Sequence, residues 1–289
     1  MIITLQKNRN ECLSMAKSIG RLAFIGSGNM GSAIIRGFMD RGGVSPKDIF
    51  VYDKECTNYP SLQKCGVNTF DSLEAAIHLA DFIFLCVKPQ GIASVVSECC
   101  SFDNANNSVF VSIAASVSTD MICRAANKTI PIIRTMPNTP MLIGEGAIAI
   151  CKNDLVDNKK FANVCRLFSS IAVVSVMDEA LLNPIISVSG SSPAYVYYFI
   201  KSILDVAIEQ GISKEQALPL ITQTLIGSAK MVEQSDCPID DLIARVCSPK
   251  GTTLEAMNVL RDDGFSDLIK NAMLACSKRA DEISAELQS

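Results

Sequence analysis

The stretch "RLAFIGSGNMGSAIIRGF", residues 21–38, constrains this chain more than any other. Gly26, Gly28 and Gly31 stand in G-x-G-x-x-G spacing between an apolar run that reads as a strand and a periodic run that reads as a helix. A helix start leaves backbone N–H groups unpaired and carries partial positive charge. Glycines there allow a tight turn, the close approach of a pyrophosphate and tight packing of helix on strand. Asp53 closes the next strand-like run, "DIFVYD", about 20 residues beyond Gly31, where an acidic contact to an adenosine ribose belongs. The competing reading is a glycine turn without a ligand; the strand–loop–helix setting and Asp53 favour a dinucleotide. A carboxylate at position 53 pairs with ribose hydroxyls and repels a 2′-phosphate, which argues for NAD(H). Lys54 beside it is able to reach such a phosphate, so NADP(H) stays open.

The rest of the chain supplies the frame such a loop needs. Short β-branched runs ("RLAFIG", "DIFVYD", "DFIFLCV", "SVFVSIA", "IPIIRTM", "GAIAIC", "AVVSV") alternate with periodic segments such as 30–40, 72–80 and 118–126. That alternation predicts a parallel sheet with helices on its faces. Beyond "VMDEALLNPI" the strand signals stop, and 192–210, 213–233, 239–245, 252–262 and 265–287 all show i, i+3, i+4 apolar spacing. The expected fold class is α/β: a Rossmann-like dinucleotide-binding domain over 21–178, followed by an all-helical dimerisation and substrate domain over 179–289. Residues 1–20 read as an extension, with Met15 as an alternative start. The late helices are apolar on more than one side, so a partner subunit is expected to cover them.

Composition excludes several classes. With 26 Lys and Arg against 30 Asp and Glu, the net charge is −4. No basic run is present, so nucleic acid is not an expected partner. The longest apolar stretch, "YVYYFIKSILDVAI", is broken by Lys201 and falls short of the roughly 18 residues of a membrane span. The first twenty residues hold no apolar block of signal-peptide type. Twelve cysteines are scattered without C-x-x-C pairs or metal-ligand spacing, which reads as reduced, mostly buried thiols in a cytoplasmic protein and no bound metal.

Two further features bear on chemistry. The single histidine, His78, lies in a helical segment between Ile77 and Leu79, so acid–base catalysis by histidine is not expected. Hydride transfer then calls for an acceptor that is electrophilic without it. An imine protonated on nitrogen meets that need, given positioning and a hydrogen-bonding group near the nitrogen. The second feature is "VCSPKGTTLEAM", residues 246–257, where a helix opens with a cation, a glycine and two hydroxyls. Ordinary N-capping uses one threonine. The second threonine and the preceding glycine favour an anion held at the helix start.

At this point six stretches stand in a recognisable order: "FIGSGNMGSAIIRGF", "FLCVKPQ", "VSIAASVS", "IIRTMPNTPMLIGEG", "SVSGSSPAYVYYFI" and "VCSPKGTTLEAM". From about residue 20 to 283 the chain resembles the pyrroline-5-carboxylate reductase family, which makes proline by reducing a cyclic imine. The resemblance implies hydride transfer from NAD(P)H to L-1-pyrroline-5-carboxylate. It implies that Ile25, Gly26, Ser27, Gly28, Asn29, Met30 and Gly31 wrap the pyrophosphate, with Asp53 near the ribose. Cys86, Val87, Lys88 and Pro89, together with Ile113, Ala114 and Ala115, would line the rest of the cofactor groove. For Lys88 a solvated lysine is the alternative. Asn138 in "RTMPNTP" would border the nicotinamide.

The anion at residues 250–253 becomes the substrate carboxylate, held by Gly251, Thr252 and Thr253, with Lys250 alongside and a threonine hydroxyl, assigned to Thr253, at the ring nitrogen. The partners implied are a cyclic imino acid and a second subunit, in a homodimer that assembles further into a decamer.

The chain departs from the family pattern at Ser116, Ser192 and Lys250, where glycine is usual, at Lys201, where an acid is common, and at Ser72, where a cofactor-contacting asparagine is frequent. Two rivals follow. A β-hydroxyacid dehydrogenase needs a lysine on a glycine-led interdomain helix, and Lys201 is the nearest candidate. A non-catalytic NAD(P)-binding paralogue would have no use for an intact "KGTT" loop.

Overall fold

The computed structural model describes residues 19–288, so the expected extension and the alternative start at Met15 lie outside the described residues, apart from Ile19 and Gly20. Eight strands form one sheet: β1 Leu22–Ile25, β2 Ile49–Tyr52, β3 Asn68–Phe70, β4 Phe82–Leu85, β5 Val109–Ser112, β6 Ile132–Pro137, β7 Gly146–Lys152 and β8 Ala172–Val176. Their order is β3-β2-β1-β4-β5-β6-β7-β8. The chain leaves β1 toward one edge and returns at β4 on its other side, which makes the β1/β4 boundary a topological switch point. Helices α1 Asn29–Asp40, α2 Tyr59–Lys64, α3 Leu73–Ile77, α4 Ile92–Cys100, α5 Thr119–Ala125 and α6 Asn158–Ser169 connect the strands.

The central strands are buried on both faces, which explains why they read as unbroken apolar runs. One face gathers Phe24, Phe84, Ile34, Phe38 and Phe168. Phe24 and Phe84 are register neighbours twice removed from the strand starts and stack at 4.5 Å, while Phe38 meets Phe168 edge-on at 5.3 Å. The other face gathers Ile25, Ile83, Leu85, Phe110, Ile77 and Val96. Alternate residues of β1 and β4 thus serve opposite layers, as the two-residue repeat of a strand requires.

The sheet departs from the expected all-parallel form at one place. β7 pairs antiparallel with β6, matching Ile133 to Lys152, before β8 pairs parallel with β7. Residues 138–145 join β6 to β7, too short a link for the crossover of a dozen or more residues that a parallel neighbour needs. β3, the one strand of the eight that the sequence does not announce, is a three-residue edge strand too short to leave a pattern.

The contacts divide the chain into two compact units, one reaching Ser191 and resuming at Cys276, the other spanning Ser192–Ala275. The sequence boundary at 178/179 follows the loss of strand signal; the contact boundary falls later because the segment after β8, including the π-turn Ile186–Gly190, packs on β6 and β7. The second unit contains α7 Ser192–Glu209, α8 Lys214–Gln234, α9 Ile239–Val246, α10 Thr252–Asp262 and most of α11 Phe265–Glu286. A capping box between Ser213 and Gln216 opens α8, and Gly211, at φ +88°, ends the chain run out of α7.

Within 192–275 Ala217 alone is buried, while Tyr198 is 74% exposed, Leu220 68% and Leu268 66%. A unit of this apolar content without a core of its own calls for a second copy to cover it. Among the described residues no helix is long and apolar enough to cross a membrane. The cysteines described are all free thiols, but the expectation that most are buried does not hold: Cys99, Cys151 and Cys165 are buried, whereas Cys56 and Cys65 are exposed. Those two lie in the turns around α2, and the other six described cysteines are partly buried.

Candidate active site

The glycine loop sits at the end of β1, beside the end of β4. Gly26 has φ +98°, and a Cβ there would lie 2.7 Å from the Cys86 carbonyl oxygen. At Gly31 a Cβ would lie 2.6 Å from the Gly26 carbonyl oxygen. Both glycines are therefore required by the loop itself. Gly28 is different: a Cβ would meet nothing within 4 Å, so its missing side chain leaves open space at the start of α1. No side chain caps that helix. An exposed backbone with unpaired N–H groups at a helix N-terminus fits a pyrophosphate.

The Asp53 carboxylate is held by three donors of the chain itself. Its Oδ2 accepts from the Ser27 N–H at 2.6 Å and the Ser27 hydroxyl at 2.8 Å, and its Oδ1 accepts from the Glu55 N–H at 3.0 Å. Partial burial on its own would raise the carboxyl, but these donors outweigh it and hold it below its ordinary value of 3.8. The Tyr59 hydroxyl accepts from the Asp53 N–H at 2.8 Å and donates to the Phe70 carbonyl at 2.8 Å. Burial lifts that phenol to about 12, so it stays protonated. Asn58 donates to the Ser27 carbonyl. Asp53 is thus a fixed negative charge and a clamp on the glycine loop at once.

A groove of about 340 Å³ runs over this loop. Of the residues expected at the cofactor, Ile25, Gly26, Gly28, Asp53, Cys86, Val87 and Lys88 line it. Lys88 is exposed there, at the start of the 3₁₀ turn Pro89–Gly91. The Cys86 thiol is raised by burial and therefore remains neutral. Tyr52, Glu55, Gly91, Ser94 and Val95 also line the groove and have no counterpart in the sequence reading. Ser94 and Val95 were findable in principle, since they lie in the first turn of the helix that follows a strand of the switch point. A larger cleft of about 540 Å³ lies along α1, lined by Asn29, Ser32, Arg36 and Asp40 among others. The smaller groove is the better dinucleotide site, because it holds the glycines, the acid and both strand ends.

The remaining expected residues fall outside that groove. Ile113, Ala114 and Ala115 follow β5, whose last residue, Ser112, pairs with Leu85. Ser116 behind them is buried and has φ +64°. The Asn138 side chain is fixed within the first unit, donating one Nδ2 hydrogen to the Ser189 carbonyl at 3.1 Å and accepting from the Ala147 N–H at 2.8 Å. Ser72 is exposed and accepts from the Ala75 N–H at 3.3 Å as the N-cap of α3.

In the second unit, Lys250 has φ +57°. Positive φ at Ser116 and Lys250 explains a preference for glycine at both positions, and each costs roughly 1–2 kcal/mol in an L-residue. Gly251 is the N-cap of α10 without a side-chain cap, and a Cβ there would lie 2.9 Å from the Ser248 carbonyl oxygen. The N-capping role open to the threonines is therefore not taken: Thr252 and Thr253 are the first helical residues, with their N–H groups at the helix start. Thr253 is half-buried and Thr252 exposed. Lys201 pairs with Asp205 on the exposed face of α7, and that hydrogen bond pushes its ammonium above the ordinary value. A catalytic lysine of the hydroxyacid dehydrogenase type has no counterpart in that pairing.

A glycine-loop switch point followed by a helical unit that leaves large apolar side chains uncovered defines a dinucleotide-dependent oxidoreductase with a dimerisation domain. Residues 21–116 match the family model "NADP oxidoreductase coenzyme F420-dependent", and residues 179–283 match "Pyrroline-5-carboxylate reductase dimerisation". The chain is 39% identical to the pyrroline-5-carboxylate reductase of Escherichia coli K12 over 271 residues, covering 93% of this chain and 99% of that protein. The solved pyrroline-5-carboxylate reductase of Coxiella burnetii superposes with a TM-score of 0.85 at 30% identity, covering 92% of this chain and 98% of that one. The Plasmodium falciparum pyrroline carboxylate reductase, solved with NADP bound, gives 0.82 at 28% identity over 91% and 98%. The chain belongs to the pyrroline-5-carboxylate reductase family.

Proposed function

We propose that this chain reduces L-1-pyrroline-5-carboxylate to L-proline with NADP(H) or NAD(H), the last step of proline synthesis. The observation that carries the reading is that each unit offers a helix start without a side-chain cap and open to an anion: Gly28 at α1 in the first and Gly251-Thr252-Thr253 at α10 in the second. Residues 21–178 are assigned to the dinucleotide and 179–289 to substrate binding and dimerisation. When bound, the reduced nicotinamide supplies the hydride that adds to the imine carbon, and the C=N electron pair moves to nitrogen.

The chain's own residues bind and orient. Ile25 to Gly31 carry the pyrophosphate, Asp53 meets the adenosine ribose, and Ser72, Cys86 to Pro89, Ile113 to Ala115 and Asn138 complete the cofactor contacts. The N–H groups of Gly251, Thr252 and Thr253 hold the substrate carboxylate, with Lys250 adding charge. The protonated imine N–H donates to the Thr253 hydroxyl, which fixes the face presented to the hydride.

The dimerisation match and the uncovered apolar helices support a homodimer; a decamer built from it, and a cytoplasmic setting suited to free thiols, complete the proposal. The test is purified protein supplied with NADPH or NADH. Oxidation only when pyrroline-5-carboxylate is present is the expected result. Turnover of a 3-hydroxy acid in place of the imine would move the chain to another oxidoreductase class.

A further inference from the structure

Ser116 is a buried non-glycine residue in a left-handed conformation, directly after Ile113–Ala115. Such a backbone persists only where the surroundings over-determine it. Here a closed ring of hydrogen bonds does so. The Ser284 hydroxyl, in the last turns of α11, donates to the Ser116 carbonyl at 2.7 Å. Asn183 donates to the Ser284 hydroxyl at 3.1 Å and to the Asp281 carboxylate at 3.0 Å. Arg134, 5% exposed on β6, donates to the Asn183 side-chain Oδ1 at 2.7 Å and to the Glu179 carboxylate at 3.1 Å. Glu179 closes the ring by accepting from the Thr119 N–H at 2.7 Å and the Thr119 hydroxyl at 2.6 Å.

Both ends of the ring therefore grip one loop, at Ser116 and at Thr119. Leu287 packs against the same core layer, which seats the end of the chain on the first unit. The loop so gripped leaves the C-terminal end of β5, and the Ile113 N–H donates to the Leu85 carbonyl at 3.3 Å, one strand from the glycine loop. Ligands of open α/β sheets bind outside those strand ends.

We propose that the C-terminal end of the chain, through Ser284 and Asn183, is a positioning element that sets the Ile113–Ser116 backbone against the cofactor. Ser284 is a positioning residue and touches no reacting atom. The inference rests on the cofactor reading above. It assigns a cofactor-affinity role to residues that lie far along the sequence from any nucleotide motif.

The experiment uses the full-length protein and reads NADPH affinity by cofactor fluorescence, alongside steady-state kinetics. Ser284→Ala is expected to raise the NADPH Kd and KM about three- to tenfold, the range for one net hydrogen bond, with kcat at saturating cofactor within about twofold of the parent. Ser284→Thr keeps the donor and restores the affinity. In a Ser116→Gly background, where the left-handed backbone no longer needs holding, Ser284→Ala is expected to change the affinity less than about twofold. Unchanged affinity in Ser284→Ala overturns the proposal, and so does an equal loss in both backgrounds. A parent protein that binds neither NADPH nor NADH would overturn the cofactor reading and this inference together.

Discussion

Thr253 is where the proposed chemistry and the sequence signal meet. Thr253→Ala should lower turnover about 10- to 1,000-fold, the range for one positioned hydrogen-bonding group at a reacting centre, while the cofactor Kd barely moves. Steady-state kinetics with a separate cofactor titration checks this; an unchanged kcat would transfer the role to Thr252.

Asp53 calls for a different expectation, because it accepts from Ser27 twice and from Glu55. Asp53→Ser should weaken NADH binding more than NADPH, since a repelling charge is lost, but should weaken both, since the loop loses its clamp. Its carboxyl is held below 3.8 in the fold, so the stability it contributes is fully present above that value. That contribution is lost as pH falls through the lower folded value. Acid titration of thermal stability should show this limb in the parent and lack it in Asp53→Asn.

Lys250 carries two opposed effects. Its φ of +57° predicts that Lys250→Gly raises stability by about 1 kcal/mol. The lost charge should raise the substrate KM about two- to fivefold at low salt and less at high salt. A KM indifferent to ionic strength would place the ammonium away from the carboxylate.

Among the elements, the helices after Ser192 are the ones whose surfaces make no sense alone. α7 presents Val196, Tyr197, Tyr198 and Phe199 to solvent, and α11 presents Leu268 and Leu274. Burial of side chains of this kind stabilises by about 1.5–3 kcal/mol each, which an interface between two copies would supply. Tyr198→Asp combined with Leu268→Asp should convert the dimer to monomer or to aggregate, read by light scattering coupled to size exclusion. A dimer that survives both charges would show that these faces are not the interface. The sheet elements behave otherwise. β1, β4 and β5 are wholly buried, so their order and their loops are set inside one chain.

For the whole molecule, these two kinds of element imply a division of stability. The sheet unit holds two buried core layers, whereas the helical unit has a single buried residue, Ala217. The melting temperature should therefore rise with protein concentration, because the dimer and not the isolated chain is the folded form of the second unit. Calorimetry across a hundredfold dilution checks this. A concentration-independent transition would mean that the helices are stable uncovered.

Much of this molecule was legible in its sequence, for physical reasons that differ from part to part. The glycine spacing, Asp53 and the strand-to-helix alternation are local patterns, and each local pattern reports one local geometry. The strand runs and the five late helices therefore fell close to where the structure has them. The positive φ of Ser116 and Lys250 was foreshadowed only as an oddity of residue choice. What the tertiary structure alone decided depends on residues distant in sequence. The antiparallel turn into β7 was set by the length of a link and not by any strand signal. The two bonds from Ser27 that make Asp53 a clamp, and the bond joining Ser284 to Ser116, close across 26 and 168 residues of chain. No periodicity in a sequence encodes such pairings, because their partners become neighbours only after the sheet has formed.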